Sequence, residues 1–159
     1  MEKPLVVILM GSKADMEHCT KISEACKGFG LDTVLRIASA HKTPEHALSM
    51  LREYEADARP KVYITVAGRS NALSGFTDGS VSAPVIACPP PSEAFGGTDV
   101  FSSLRMPSGI GVAVVLEPVN AALLAAKIFG VANAEARDQV RVSQKRAAVK
   151  IEEDDKSVQ

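Results

Sequence analysis

The sequence predicts an α/β fold, a parallel sheet of five strands wound by helices, and three observations predict it. Short continuous apolar runs alternate with stretches of helical period from end to end. Each run stops at glycine or proline, and the apolar residues are almost all aliphatic. A strand buried on both faces reads as an unbroken Val/Ile/Leu run, and strands alternating with helical stretches imply parallel crossover units. Aromatic residues make up 4% of the 159 residues, with no Trp, so burial falls to Val, Ile, Leu, Ala and Met. The expected organisation is one domain covering residues 1–159.

The elements follow in order. Leu5-Val6-Val7-Ile8-Leu9 is the first strand and stops at Gly11-Ser12. Asp15 stands at the start of the next helix, whose buried face is Cys19, Ile22, Cys26 and Phe29, and Gly28 and Gly30 end it. Residues 33–37 form the second strand. Thr43-Pro44-Glu45 then opens a helix with a capping residue, a proline at the first helical position and an acidic first turn. Residues 62–66 are the third strand, and Ala72 to Gly79 a short helix. Residues 85–88 are the fourth strand, stopped by Pro89-Pro90-Pro91. Residues 112–116 are the fifth, before an alanine-rich helix over 119–129. An amphipathic helix over 134–152 ends in an acidic tail expected to fray.

Right-handed crossovers place helices on both sides of such a sheet. The expected fold is a three-layer, doubly wound, flavodoxin-like sheet in strand order 2-1-3-4-5, with an additional C-terminal helix. These sheets bind ligands outside the carboxyl ends of their strands, where the strand order reverses. The unusual polar residues should then follow strands one, two and three, and they do: Gly11-Ser12-Lys13-Ala14-Asp15, Ser39-Ala40-His41-Lys42-Thr43-Pro44 and Ala67-Gly68-Arg69-Ser70-Asn71. Each stands at a helix start, where free N–H groups favour an anion such as a phosphate.

Gly11 lets the backbone approach a ligand, while Ser12 and Asp15 can bond sugar hydroxyls; the plain alternative for Asp15 is a helix cap. His41 stands at a strand end beside a cation and can exchange a proton near neutral pH, whereas its alternative is a loop imidazole bonding backbone. His18 and His46 fall inside helices and read as exposed or packing residues. Lys42 offers a point charge for a phosphate or a solvated surface charge. Arg69 reads either as a contact to substrate or carboxylate or as a salt bridge between subunits. The segment from Pro89 to Gly111 is too long for a plain connection. Phe95-Gly96-Gly97 could shape a lid, 99–104 a short helix, and Arg105 to Gly109 a turn with Met106-Pro107 as an apolar wall; subunit packing is the alternative.

Other classes are disfavoured. With 18 Lys+Arg against 19 Asp+Glu and a net charge of -1, there is no basic field for nucleic acid or an anionic membrane. No apolar stretch is long enough to cross a bilayer, and Met1 to Pro4 is too short a lead for a signal peptide, so a cytoplasmic protein is expected. Cys19, Cys26 and Cys88 fit neither a disulfide framework nor a metal site and read as buried small hydrophobes. The phosphate loop G-x-x-x-x-G-K-[ST], the dinucleotide motif G-x-G-x-x-G, H-E-x-x-H and G-x-S-x-G are all absent.

Taken together, the three loops and Met106-Pro107-Ser108-Gly109 resemble the PurE proteins of purine biosynthesis, over nearly the whole chain from Val6 to about Asn133. The mutase branch of that family carries Gly-Ala-Ala and then a second histidine in the third loop. Here Arg69-Ser70-Asn71 and Ala72 stand instead, and Lys42 replaces the arginine common after the first histidine. Those departures resemble the class II branch, which carboxylates 5-aminoimidazole ribonucleotide (AIR) with CO2 and needs no biotin, ATP or metal. The resemblance implies His41 as the proton-transfer residue, with Ser12, Asp15, Ser39 and Lys42 on the ribose and phosphate. Gly11, Ala40, Gly68, Arg69, Ser70 and Asn71 would line the substrate and CO2 pocket, and Met106, Pro107 and Ser108 would close it. It also implies a homo-oligomer, an octamer with sites shared between subunits. Residues 121–126, rich in alanine, are expected to let another helix approach closely. Two other readings stand beside this one: the mutase, and a non-catalytic nucleotide-binding module.

Overall fold

The structure, a computed structural model, describes residues 3–159. Its sheet is built from β1 (Leu5–Met10), β2 (Asp32–Ile37), β3 (Lys61–Val66), β4 (Val85–Ala87) and β5 (Ala113–Val114). All pairings are parallel and the order is β2-β1-β3-β4-β5, as expected. The helices are α1 (Met16–Gly28), α2 (Pro44–Glu55), α3 (Ala72–Asp78), α4 (Phe101–Leu104), α5 (Pro118–Gly130) and α6 (Ala134–Ser157).

The pleat of β1 divides the core. Val6, Ile8 and Met10 face one side, with Val62, Ile64, Val66 and Ile86, and pack beneath Cys19, Ile22 and Cys26 of α1 and the alanines of α5. Leu5, Val7 and Leu9 face the other, with Tyr63 and Val85, beneath Ala47, Met50 and Leu51 of α2 and Leu73 of α3. Alternate side chains of one central strand therefore serve two aliphatic layers. All three cysteines are buried and free, and burial pushes each thiol up to about 12, so they are inert packing residues.

Several expectations are corrected. Ala121, Ala122, Ala125 and Ala126 are wholly buried within the subunit, where α5 packs on α1, so this face is not open to another chain. The close approach falls instead at Gly130, where a Cβ would stand 3.2 Å from the Arg137 backbone of α6. The fifth strand pairs over two residues rather than five. The helix does not end at residue 152; α6 runs to Ser157. Its first turns are anchored by Ala136 and Val140, and beyond them only Ser143 is half-buried.

What positions a site is the level end of the sheet. Met10 pairs with both Ile37 and Val66, so β1, β2 and β3 finish side by side. The backbone N–H of Gly11 donates to the Val66 carbonyl at 3.0 Å and that of Ala38 to the Met10 carbonyl at 3.0 Å. The three polar loops therefore leave from one rim.

Candidate active site

In the first loop the expected roles change hands. Ser12, not Asp15, supplies a cap: its hydroxyl accepts from the Ala14 N–H at 3.2 Å, at the head of a 3₁₀ turn over Lys13–Asp15. Asp15 occupies the N-cap position of α1 but makes no side-chain cap bond. Its carboxylate is thus left for another partner. Desolvation raises its pKa, while the Ser12 backbone, His18 and Arg69 oppose that shift, so charge from the first and third loops meets at Asp15.

The second loop is closed on itself. The Ser39 N–H donates to the Thr43 hydroxyl at 3.0 Å, and that hydroxyl donates to the Ser39 carbonyl at 3.2 Å. The Thr43 N–H donates to the same carbonyl at 2.8 Å, and the Lys42 N–H to the Ser39 hydroxyl at 3.2 Å. Thr43 was expected to cap α2; its side chain turns back to brace the loop and makes no cap bond. His41 and Lys42 stand exposed on this braced turn, with Ala40 half-buried beneath them. The His41 ring has no hydrogen-bond partner among the described residues, so nothing within the subunit competes for its nitrogens. The Ser39 hydroxyl accepts one bond and keeps its own proton free for an anion.

The third loop is strained and clamped. Arg69 lies at φ 59°, a left-handed conformation that costs a non-glycine residue about 1 kcal/mol. Gly68 stands close to Pro90: a Cβ there would meet the proline ring at 3.5 Å. Asn71, expected in the substrate pocket, is buried, with every polar group of its side chain used. Its Oδ1 accepts from the Ser74 N–H at 3.2 Å and hydroxyl at 2.9 Å, capping α3, and its Nδ2 donates to the Ser103 hydroxyl at 2.8 Å. Asn71 therefore holds the loop from inside, while Arg69 and Ser70 are exposed. These two line a cavity of about 640 Å³ with Phe95, Thr98, Asp99 and Ser102.

The segment from Pro89 supplies that opposite wall, in a kinked pair of short turns over Ala94–Val100 leading into α4. Phe95, Gly96 and Gly97 all have positive φ, and Phe95 is 87% exposed. Met106 lies on the turn that follows α4. It packs at α3, where a Cβ on Gly75 would lie 3.2 Å from its sulfur, and Pro107 and Ser108 are exposed beside it.

Sequence reasoning gave His18 too small a part. It is half-buried, with its Nε2 3.4 Å from the Cys88 Sγ, which lies in turn 3.6 Å from the Leu116 carbonyl. Burial lowers its pKa, favouring the neutral ring. It also lines a second cavity, of about 470 Å³, with Gly68 and the three prolines. The signal was its place three residues after Asp15, one turn along the same helix.

A level rim, three polar loops and an exposed histidine on a braced turn form a candidate small-molecule site, at the place where doubly wound sheets carry one. Residues 5–150 match the AIR carboxylase family, and the chain belongs to it. It is 61% identical to the phosphoribosylaminoimidazole carboxylase of Treponema denticola, over 96% of each chain. It is 55% identical to the Archaeoglobus fulgidus protein of the same name, over 84% of this chain and 73% of that one. The crystal structure of Treponema denticola PurE superposes with a TM-score of 0.97 at 59% identity, covering 99% of both chains. The human bifunctional phosphoribosylaminoimidazole carboxylase/phosphoribosylaminoimidazole succinocarboxamide synthetase is 44% identical over 96% of this chain, which spans 36% of that longer protein.

Proposed function

We propose that this protein is a phosphoribosylaminoimidazole carboxylase of the CO2-using type, joining AIR and CO2 to give 4-carboxy-AIR. The observation that carries the choice of branch is the third loop. A left-handed bend that the mutase pattern fills with glycine is occupied here by Arg69, at a cost in strain. Strain of this kind persists where the surrounding structure enforces it, and here it presents a cation and a hydroxyl at a cavity.

The chemistry suits these side chains without biotin, ATP or metal. The amino group of AIR makes its ring enamine-like. C4 forms a bond to the carbon of CO2, the CO2 π electrons become the carboxylate, and the proton on C4 then leaves as the ring regains aromaticity. His41 takes that proton, and returns it in the reverse decarboxylation. Ser12, Asp15, Ser39 and Lys42 hold the ribose and phosphate, with Arg69 and Ser70 at the nascent carboxylate. Holding both reactants makes the encounter effectively intramolecular.

Two further features support a homo-oligomer, for which an octamer is our reading. Phe95, Phe101 and Leu104 are large, apolar and exposed on one segment beside the site. Met106 packs against α3 beside Gly75, and we read the turn of Met106, Pro107 and Ser108 as serving the site of a neighbouring copy. Light scattering on the purified protein measures the subunit number. No described helix is long and apolar enough to cross a membrane. Three free buried cysteines and a phosphorylated substrate support a cytoplasmic location.

Purified protein supplied with AIR and labelled CO2 should place label in 4-carboxy-AIR at a rate rising with CO2 and independent of ATP. Conversion of the N-carboxylated isomer with no label uptake would mean the mutase. AIR binding with neither reaction would mean a non-catalytic module.

Asp15→Asn separates binding from stability. The raised carboxyl pKa means the native state holds the Asp15 proton more tightly than the unfolded chain does. Ionisation therefore opposes folding, and that penalty grows as pH rises from the unfolded value of 3.8 through the native one. The neutral amide should leave Tm at pH 7 unchanged or higher, while KM for AIR rises about tenfold. A calorimetric scan and an AIR titration check both.

A further inference from the structure

We propose that Ser102 of α4 is a positioning residue for the carboxylation centre, holding the Arg69–Asn71 bend by its backbone. Its hydroxyl oxygen accepts the Asn71 N–H at 3.0 Å, across 31 residues of chain. It also lies 2.9 Å from the Arg69 carbonyl and 2.8 Å from the Asp99 carbonyl, and its single proton serves both.

The consequence falls on the two residues at the cavity. Ser102 is the only hydrogen-bond partner of the Arg69 carbonyl among the described residues. Ser70 is thus gripped on both sides, at the Arg69 carbonyl and at the Asn71 N–H, by one hydroxyl. Arg69 at φ 59° is in a region that its Cβ disfavours, so without the tether its backbone relaxes toward negative φ. That rotation carries Arg69 and Ser70 away from the wall formed by Thr98 and Asp99. Neighbouring Ser103 has a different task. It is 1% exposed and bonds the buried Asn71 amide, so it supports the fold, whereas exposed Ser102 can change with little cost to folding.

The inference rests on the carboxylase reading, which places CO2 at Arg69 and Ser70. Wild-type protein is assayed first with AIR and labelled CO2; no incorporation there would sink the carboxylase reading itself. With that activity in hand, Ser102→Ala should lower kcat/KM for CO2 about tenfold to a hundredfold, as expected for misplaced groups. KM for AIR should stay within about twofold, because the ribose and phosphate contacts lie on other loops. Ser102→Thr keeps the hydroxyl and should restore the wild-type rate. In an Arg69→Ala, Ser70→Ala background, Ser102→Ala should cost less than about twofold, since both residues it acts through are gone. A Ser102→Ala enzyme as fast as wild type would overturn the proposal. So would a parallel rise in KM for AIR, a Thr variant as slow as Ala, or an undiminished loss in the Arg69→Ala, Ser70→Ala background.

Discussion

Replacing His41 by Asn should lower kcat for CO2-dependent carboxylation of AIR by about 10²–10⁴-fold, the range in which a positioned acid–base group contributes. The reverse decarboxylation should fall by the same factor if, as proposed, one imidazole carries the proton in both directions. The amide keeps the polar shape of the ring but cannot accept a proton at neutral pH. Tm should not move, since His41 is exposed and no partner within the subunit depends on its ring. Steady-state assays in both directions, beside a thermal scan, decide the matter. A variant that retained more than about a tenth of the rate would remove His41 from the proton-transfer role.

Asn71→Ala should do the opposite, damaging the fold first. It removes the cap of α3 and leaves the Ser74 and Ser103 hydroxyls without their shared partner in a dry interior. Loss of a cap and of buried hydrogen bonds costs about 2–4 kcal/mol together. In a domain of this size, that corresponds to a fall in Tm of about 5–15 °C. Denaturant unfolding of Asn71→Ala, Ser103→Ala and the double variant should show strong coupling, the second change costing far less than the first. Additive losses would mean that the Asn71–Ser103 bond carries none of the effect.

The sheet was legible because its strands announce themselves: a run such as Leu5 to Leu9 has few other uses, and its helices cover both faces as the crossover rule requires. The three loops were legible for the same reason, as polar islands at strand ends. Their internal wiring was not. Asp15 and Thr43 have the residue types of caps, yet the Asp15 carboxylate caps nothing and the Thr43 hydroxyl turns back to Ser39. Type and position alone do not say which way a side chain closes. Asn71 reads as a polar loop residue, and only the arrival of Ser102 and Ser103 from more than thirty positions away turns it inward. Alanines 121–126 read equally well as an external or an internal contact face, and the packing of α1 decided between them. Local pattern reports period and burial, whereas these outcomes depend on partners distant in sequence.

The free length of α6 has a kinetic meaning. At 24 residues the helix spans about 36 Å, and only its first turns reach the core through Ala136 and Val140. A helical stretch without packing is marginal in water, so its outer amides in a lone subunit should exchange with solvent within the fastest class. If the proposed oligomer covers this arm, those amides should gain protection at high protein concentration and lose it on dilution, which hydrogen exchange measures.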